Sequence, residues 1–354
     1  MNRNFWKGKK VLITGHTGFK GSWLSMLLIE LGAKVSGLSN KNENDKLFKL
    51  LKIEKKIKNY RGDINNSKLI KRIIKEQQPE FIFHLAAQSL VSLSYKFPYE
   101  TFATNSLGTL NVIENSISTQ IVKTIIVVTS DKCYKDTNKK SGYNENDMLG
   151  GTDIYSSSKA AAELIVYSYQ KIHIHSNNNP KIGIASVRAG NVIGGGDWAA
   201  NRLIPDVIRS YKSKKKFKIR NPEYIRPWQY VLDPLNGYLI LAEKLNKNPK
   251  KYSSAWNFGP SMVNAKTVSW VLNRLISLLK IDIKVFDENV KNKFLETKYL
   301  KLSSKKSSQK LKWKPIFNIN QTLIEVSNWY KADIMREDVR KITINQVKNF
   351  IDKF

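Results

Sequence analysis

The sequence predicts an α/β fold, with a doubly wound parallel sheet followed by a smaller C-terminal domain. First, short apolar runs typical of buried strands alternate with segments whose apolar residues recur at helical spacing. Second, a glycine-rich loop joins the first predicted strand to the first predicted helix. Third, the length of 354 residues suits two domains better than a single core.

The alternation runs through the first half of the chain. The predicted strands cover residues 11–13, 34–38, 81–83, 124–129 and 182–187. The predicted helices cover residues 22–31, 68–76, 99–119 and 154–170. Such alternation indicates parallel strands in one sheet, with helices on both faces. Two further amphipathic helices, 319–330 and 342–351, are expected to pack on the protein core rather than on a membrane.

Composition limits the partners and the location. A net charge of +31 would suit a nucleic-acid or anionic-membrane binder, but the lysines are scattered and no nucleic-acid-binding motif accompanies them. We therefore expect no nucleic-acid partner. The sequence contains no run of about 18 apolar residues, so we expect no membrane span. The polar N-terminal stretch lacks the apolar segment of a secretory signal. The one cysteine, Cys133, excludes an intrachain disulfide and agrees with a cytoplasmic location.

The glycine loop has the spacing Gly-x-x-Gly-x-x-Gly between a strand and a helix. Gly15 permits a tight turn, Gly18 lets the backbone approach a pyrophosphate, and Gly21 allows close helix packing. The free N–H groups of the following helix attract phosphates. This context predicts a Rossmann-type dinucleotide-binding domain. His16, inside the loop, is expected either to contact phosphate or to face solvent.

The sequence says less about the residues that would bind the adenosine part of the dinucleotide. An acidic residue at the end of the second strand would favour NAD, but that strand ends in Ser39 and Asn40, with Lys41 following. This position therefore leaves NAD and NADP open. Asp63, after a third strand, suits either the adenine amino group or the cap of the next helix.

A tyrosine and a lysine stand four residues apart on the predicted helix 154–170. Tyr155 and Lys159 therefore share one helix face, and a positive charge near a phenol lowers its pKa. Tyr155 can then act as a base toward a substrate hydroxyl. Ser130, at the end of the fifth strand, is placed to hydrogen-bond the reacting oxygen.

Together these residues resemble the extended short-chain dehydrogenase/reductase superfamily. Within it, the chain is similar to the CDP-glucose 4,6-dehydratase family over residues 9–315. The specific segments are 129–134 (TSDKCY), 150–163 (GGTDIYSSSKAAAE), 188–198 (RAGNVIGGGDW) and 226–231 (RPWQYV). The segment 84–88 (HLAAQ) also matches, whereas Ser89 and Ser92 stand where the family has proline and arginine.

The resemblance implies a reaction and a cofactor, NAD. Tyr155 takes the proton of the sugar C4 hydroxyl, water leaves across C5 and C6, and the hydride removed from C4 returns to C6. Asp131 is the expected acid for the C6 hydroxyl and Lys132 the expected base for C5, which requires a protonated Asp131 and a neutral Lys132. Lysine at position 132 is typical of the CDP-linked branch.

The resemblance also implies the binding residues and the assembly. The expected cofactor contacts are Gly15, Thr17, Gly18, Phe19, Gly21, Asp63, Ala86, Ala87, Tyr155 and Lys159. The expected substrate contacts are Gln88, Asn191, Arg202 and Arg226. Residues 1–189 are assigned to the NAD-binding domain, with a return at 231–259, and residues 190–354 to the nucleotide-sugar-binding domain. A homodimer built on helices 99–119 and 154–170 is expected.

Two alternatives stay open at this point. One is a dehydratase or 4-epimerase acting on another nucleotide sugar, although an epimerase has no use for Asp131 and Lys132. The other is a non-catalytic dinucleotide-binding module, which would not need Tyr155 and Lys159. His173 and His175 have no cysteine or carboxylate nearby in the sequence, so we expect no metal site.

Overall fold

The computed structural model describes residues 1–40, 45–175, 180–261, 264–287 and 300–354. Its central feature is a seven-stranded sheet in the order β11-β6-β5-β4-β1-β2-β3, with every neighbouring pair parallel. The strands are β1 (Lys10–Thr14), β2 (Lys34–Ser39), β3 (Lys58–Arg61), β4 (Phe81–His84), β5 (Thr124–Val128), β6 (Gly183–Ala189) and β11 (Ala255–Phe258). The predicted doubly wound parallel sheet is therefore confirmed.

Helices cover both faces of this sheet. Those of the first half are α1 (Phe19–Glu30), α2 (Lys46–Leu50), α3 (Ser67–Gln77), α4 (Val91–Ser94), α5 (Pro98–Phe102), α6 (Gly108–Thr119) and α7 (Ile154–Tyr169). Successive residues of β1 pack into different hydrophobic clusters on the two faces of the sheet. Val11 and Ile13 of β1 pack into one hydrophobic cluster, whereas Leu12 packs into the cluster formed with α3, α6 and α7. The apolar run 11–13 is thus buried on both sides, as expected for a central parallel strand.

The second half adds short strands and further helices. The short strands are β7 (Val192–Ile193), β8 (Phe217–Ile219), β9 (Ile225–Pro227), β10 (Gln229–Tyr230), β12 (Ala265–Thr267) and β13 (Val285–Asp287). They form three two-stranded pairs: β10 with β7, β12 with β9, and β13 with β8. The helices are α8 (Leu203–Lys212), α9 (Leu232–Lys247), α10 (Pro249–Tyr252), α11 (Val268–Leu279), α12 (Ile319–Ile334) and α13 (Val339–Ile351). Between the short strands, α9 and β11 bring the chain back to the central sheet.

The predicted helix 99–119 is interrupted. Residues Ala103–Leu107 form a π-helical turn between α5 and α6. Within that turn, the Asn105 side chain accepts from the backbone N–H of Gln88 at 2.9 Å and donates to Ser158 Oγ at 2.9 Å. The π turn therefore joins the loop after β4 to the helix that carries Tyr155.

Candidate active site

A cavity of about 760 Å³ lies at the carboxyl ends of the parallel strands. Loops after β1, β4, β5 and β6 form one part of its wall, and α8, β8 and β9 form another. This is where an open α/β sheet is expected to bind its ligands. The residues singled out from the sequence all line it: Gly15, Thr17, Gly18, Phe19, Gly21, Asp63, Ala86, Ala87, Gln88, Ser130, Asp131, Lys132, Tyr155, Lys159, Asn191, Arg202 and Arg226.

The glycine loop leaves no room for side chains at two positions. Gly15 has a φ of +73°, and a Cβ there would lie 2.6 Å from the backbone nitrogen of Ala86. A Cβ on Gly21 would lie 2.2 Å from the carbonyl oxygen of Gly15. α1 begins after Gly18 with no side-chain cap, and Thr17 Oγ1 is buried without a hydrogen-bond partner among the described residues. Free N–H groups and an unpaired hydroxyl in a narrow backbone cradle fit a dinucleotide pyrophosphate.

Two buried histidines, one in this loop and one at the end of β4, form hydrogen bonds with residues of neighbouring strands. His16 Nε2 contacts Asn59 Oδ1 at 2.8 Å and His16 Nδ1 contacts Ser39 Oγ at 3.2 Å, so both expectations for this ring were wrong. Burial lowers the pKa of His16 to about 4. His84, which the sequence analysis did not single out, contacts Thr14 Oγ1 at 2.7 Å, and burial lowers its pKa to about 3. Both rings are therefore neutral at pH 7 and act as hydrogen-bonded supports.

Ser39, Asn40 and Asp63 line the cavity at the ends of β2 and β3. Asp63 Oδ1 accepts from the backbone N–H of Asn65 at 2.8 Å, whereas Asn66 caps α3 by accepting from Leu69 N at 3.0 Å. The helix-cap alternative for Asp63 is therefore wrong, and its contact with adenine stays a prediction. Lys41 lies outside the described residues.

The segment after β5 carries three predicted catalytic residues. Ser130 Oγ donates to Asp131 Oδ1 at 3.1 Å and accepts from the backbone N–H of Lys132 at 3.2 Å. Asp131 is buried, and its Oδ2 has no hydrogen-bond partner within the described part of the chain. Burial raises the pKa of Asp131 above its usual range, which favours the protonated carboxyl that the sequence analysis required.

Tyr155 lies at the start of α7, opposite this segment. A capping box fixes that start, because Asp153 Oδ1 accepts from Ser156 N at 3.0 Å while Ser156 Oγ accepts from Asp153 N at 3.2 Å. Burial raises the pKa of Tyr155 to about 12, against the opposing effect of a hydrogen bond with Ser130. The expected lowering of this pKa by Lys159 is therefore not found in the protein alone, where burial has the largest effect and the opposing effects come from Ser130 and Arg202.

Lys159 lies one helical turn after Tyr155. Its Nζ donates to the carbonyl oxygen of Val128 at 3.4 Å, at the end of β5. Burial, followed by the nearby charge of Lys20, lowers the pKa of Lys159 to about 8. The ammonium is thus held against the sheet, beside the tyrosine, in a dry environment.

The predicted substrate residues differ in how they are held. Arg202 Nη1 donates to Asp197 Oδ2 at 2.8 Å, and this pair orients the guanidinium at the cavity wall. Arg226 Nη1 donates to the carbonyl oxygen of Ile225 at 3.1 Å. Asn191 holds the loop after β6 to β10, because its carbonyl oxygen accepts from Gln229 N at 3.0 Å.

The side chain of Gln88 has a structural task that the sequence did not reveal. Its Nε2 donates to the Leu90 carbonyl oxygen at 3.0 Å and to Thr101 Oγ1 at 2.9 Å, and its Oε1 accepts from Leu90 N at 2.5 Å. The amide therefore holds the loop after β4, and these contacts argue against the predicted role in binding substrate, although Gln88 lines the cavity.

Lys20 is a cavity residue that sequence reasoning missed. It stands between Gly18 and Gly21, and burial together with the charge of Arg202 lowers its pKa to about 8, while Asp131 and Asp197 act in the opposite direction. A lysine inside a phosphate-binding glycine loop, where small or apolar residues would suffice, was the available signal.

The remaining features are the possible metal ligands, the two histidines after α7 and the length of the helices. Among the described residues, no group of three or more histidine, cysteine, aspartate or glutamate side chains could hold a metal ion. His175 Nε2 contacts the carbonyl oxygen of Ser253 at 3.1 Å, and His173 stacks on Tyr169. Within the same described ranges, no helix has the length and apolar character needed to cross a membrane.

Comparison with known proteins places this site in a family. The family model described as GDP-mannose 4,6 dehydratase matches residues 12–326. The chain belongs to this family. It is 41% identical to the CDP-glucose 4,6-dehydratase of Salmonella typhimurium, over 99% of this chain and 98% of that protein. It is 30% identical to the dTDP-D-glucose 4,6-dehydratase of Dictyostelium discoideum, over 67% of this chain and 56% of that protein.

Solved structures of similar fold include other nucleotide-sugar enzymes. The dTDP-glucose 4,6-dehydratase of Bacillus anthracis, in complex with NAD, aligns with a TM-score of 0.76 at 23% identity, covering 94% of this chain and 100% of that one. The UDP-glucose 4-epimerase of Thermotoga maritima, with UDP-glucose, aligns with a TM-score of 0.80 at 22% identity, covering 92% and 99%. At these identities the likeness establishes the shared fold. The fold alone therefore does not separate family members that dehydrate from those that epimerise.

Proposed function

We propose that this chain is a CDP-glucose 4,6-dehydratase that converts CDP-D-glucose to CDP-4-dehydro-6-deoxy-D-glucose and water with bound NAD. The identity of 41% over nearly the whole chain supports the reaction and the nucleotide. The structural observation that carries the proposal is the Asp131 carboxyl, which is buried in the same cavity as Tyr155, has a raised pKa and leaves one oxygen unpartnered. A dehydratase needs such an acid, whereas an epimerase has no leaving group to protonate.

The glycine loop would hold the cofactor. Gly15, Thr17, Gly18 and the first turn of α1 would bind the pyrophosphate, and Asp63 the adenine. When bound, NAD supplies the hydride acceptor for C4 and the hydride donor for C6. The absence of an acidic side chain at Ser39 and Asn40 shifts the recognition of the adenosine to neighbouring residues of the same cavity wall.

Tyr155 removes the proton of the C4 hydroxyl in this proposal. Its pKa of about 12 in the protein alone would make it a poor base, so Lys159 and a cationic ligand beside it must favour the phenolate. Ser130 lines the same cavity as Tyr155, and in this proposal its hydroxyl fixes the position of the phenolic oxygen and contacts the reacting hydroxyl.

Asp131 and Lys132 then perform the elimination. The 4-ketone acidifies the C5 proton, Lys132 takes that proton, and Asp131 gives its own proton to the departing C6 hydroxyl, which leaves as water. Lys132 would return the proton to C5 when C6 is reduced, which completes the 6-deoxy product. Burial raises the pKa of Asp131, which favours the protonated form that this step requires. Both residues belong to the turn that Ser130 caps, so a single short segment presents the acid and the base.

Arg202, Arg226 and Asn191 would bind the diphosphate and sugar. A guanidinium contacts phosphate oxygens through parallel N–H donors, which suits Arg202 and Arg226, both of which line the cavity. The ion pair of Arg202 with Asp197 presets the direction of its donors before substrate arrives.

An end-point assay tests the proposal. The purified chain with NAD is incubated with CDP-, dTDP-, UDP- and GDP-linked glucose or mannose, and products are identified by mass spectrometry and NMR. We expect loss of one water from CDP-glucose, without net formation of reduced cofactor. Loss of water from another nucleotide sugar instead would overturn the nucleotide assignment, and an unchanged mass with a new stereoisomer would show an epimerase. No turnover of any sugar would favour the non-catalytic module.

We also propose that the enzyme is a cytoplasmic homodimer. Large apolar side chains are exposed on the two helices expected at the interface: Tyr99 and Phe102 on α5, and Leu164 and Tyr167 on α7. Burying such neighbouring apolar surface against a second copy is favourable. The buried single cysteine fits a reducing compartment.

Replacing Leu164 with glutamate should disrupt this dimer, because an ionised carboxylate would be buried without a partner. Sedimentation should give twice the chain mass of 40.6 kDa for the unmodified protein and the single mass for Leu164→Glu. Ile324→Glu is the matched control, since Ile324 is an exposed apolar residue on α12. A dimer that survives Leu164→Glu would exclude this interface.

A further inference from the structure

A buried ion pair lies behind the catalytic segment and is not used by the proposed chemistry. The side chains of Glu163 and Arg188 are 2% and 3% exposed. Arg188 Nε donates to Glu163 Oε1 at 2.9 Å and Arg188 Nη2 donates to Glu163 Oε2 at 2.7 Å. This is the bidentate geometry in which guanidinium and carboxylate interact most strongly.

The pair is attached to both ends of the segment that bears Ser130, Asp131 and Lys132. Before the segment, the Thr129 hydroxyl donates to Glu163 Oε1. After it, Arg188 Nη1 donates to the Tyr134 hydroxyl at 2.7 Å, and that hydroxyl donates to Asn257 Oδ1 of β11 at 2.8 Å. The segment is thus held at each end by one member of the ion pair.

The same pair is attached to the helix that carries the other catalytic residues. Glu163 stands one turn after Lys159 and two turns after Tyr155 on α7. Its charge also acts on Lys159, whose pKa burial lowers to about 8 and Glu163 pushes upward. Arg188 lies on β6, so rotation or sliding of α7 relative to β6 would strain the pair.

Stability alone does not require charges at this place. Removing two charges from water is costly, and apolar residues of similar volume often replace a buried ion pair without loss of stability. Hydrogen bonds from the pair to Thr129 and Tyr134 are directional. They fix the distances between separate elements, which apolar packing does not do.

We propose that Glu163 and Arg188 are positioning residues that set the Ser130–Lys132 segment against Tyr155 and Lys159, so that the oxidation and elimination groups meet one sugar ring. The inference rests on the proposed function for its kinetic consequence. It predicts that loosening the segment slows elimination, for which Asp131 and Lys132 must be aligned, more than oxidation at C4, because the proton acceptor for oxidation, Tyr155, lies on α7 outside the segment.

The test removes the two hydrogen bonds between the ion pair and the ends of the segment, and it leaves the ion pair itself in place. Thr129→Val and Tyr134→Phe each remove one hydroxyl from an end of the segment. Ser186→Ala is the matched control, because Ser186 Oγ also donates to Glu163, at 2.6 Å, but lies on β6 outside the segment. Glu163→Gln is unsuitable because it leaves Arg188 buried without a counter-charge.

We expect Thr129→Val and Tyr134→Phe to lower kcat about 10- to 100-fold, with KM changed much less. Reduced nicotinamide should accumulate during turnover and be visible by its near-ultraviolet absorbance, since C4 oxidation outpaces elimination. Backbone amides of residues 130–134 should exchange hydrogen faster than in the unmodified protein. Ser186→Ala should lower the melting temperature but keep the kcat, absorbance and exchange of the unmodified protein.

Unchanged kcat and unchanged exchange in both segment variants would overturn the proposal, as would an equal loss of kcat in Ser186→Ala. Failure of the proposed function is recognised separately, because the unmodified protein would then turn over no nucleotide sugar. In that case the hydrogen-exchange comparison still decides whether the pair positions the segment.

Discussion

The two halves of the cavity are built differently. The glycine-loop half, around Gly15 and Gly21, is shaped by backbone atoms and by the absence of side chains. The other half is shaped by charged and polar side chains, such as Lys159, which donates to the carbonyl oxygen of Val128 31 positions away, and Asp131, which keeps one oxygen unpartnered among the described residues. The first half is therefore specified by local sequence, and the second by the packing of separate elements.

This difference also divides the chemistry. Backbone N–H groups bind phosphates with little dependence on pH, whereas the side-chain half contains groups whose pKa is shifted by burial, namely Asp131, Tyr155 and Lys159. We expect substitutions in the loop half to act on cofactor affinity and substitutions in the side-chain half to act on kcat.

The largest effect is expected from Asp131→Asn. An amide cannot give a proton to the departing hydroxyl, so kcat should fall by about 10² to 10⁴. The melting temperature should not fall, because a neutral amide replaces a carboxyl whose pKa burial already raises. Steady-state kinetics and thermal unfolding of the same preparation measure both.

Cofactor loading serves as the control for this variant. Asp131→Asn should bind NAD as the unmodified protein does, because its change lies in the side-chain half. A kcat within tenfold of the unmodified value would contradict the assignment of Asp131 as the acid.

An intermediate effect is expected from Gly21→Ala in the loop half. The new Cβ would lie 2.2 Å from the Gly15 carbonyl oxygen, so the loop must move away from the geometry that cradles the phosphates. The dissociation constant for NAD should rise at least about tenfold, or ~1.4 kcal/mol. Isothermal titration with the cofactor measures this shift.

Gly150→Ala is a control outside the loop, since a Cβ there would meet its nearest neighbour at 3.4 Å. It should bind NAD with unchanged affinity. Equal weakening by both substitutions would mean that the loop is not the pyrophosphate site.

The same division explains what the sequence could predict. Strand and helix periodicity and glycine spacing are local, so the sheet and the loop were recognised from the residues themselves. The π turn that directs Asn105 to Gln88 and Ser158, and the position of Lys20 near Asp131, depend on long-range contacts that no local pattern records. The raised pKa of Tyr155 could not be predicted either, because the sequence showed the nearby lysine but not the burial that raises the pKa.

The smallest effect on activity is expected from a second buried carboxyl, Asp233 of α9. Its oxygens accept from the backbone N–H groups of Ile316, at 2.7 Å, and Phe317, at 3.4 Å, and burial raises its pKa to about 7. The folded state therefore binds a proton more tightly than the unfolded state does. Between about pH 4 and pH 7 this group should lower the free energy of unfolding by up to ~1.4 kcal/mol per pH unit as pH rises.

Asp233→Asn should remove that part of the pH dependence and leave kcat unchanged, because Asp233 does not line the cavity. Urea unfolding of both proteins at pH 5 and pH 7.5 measures the difference: the unmodified protein should lose stability relative to Asp233→Asn as pH rises. A parallel pH dependence in the two proteins would show that Asp233 does not titrate in this window. A loss of kcat would show that the active site extends to α9, and that buried carboxyls inside and outside the cavity do not differ in the way proposed here.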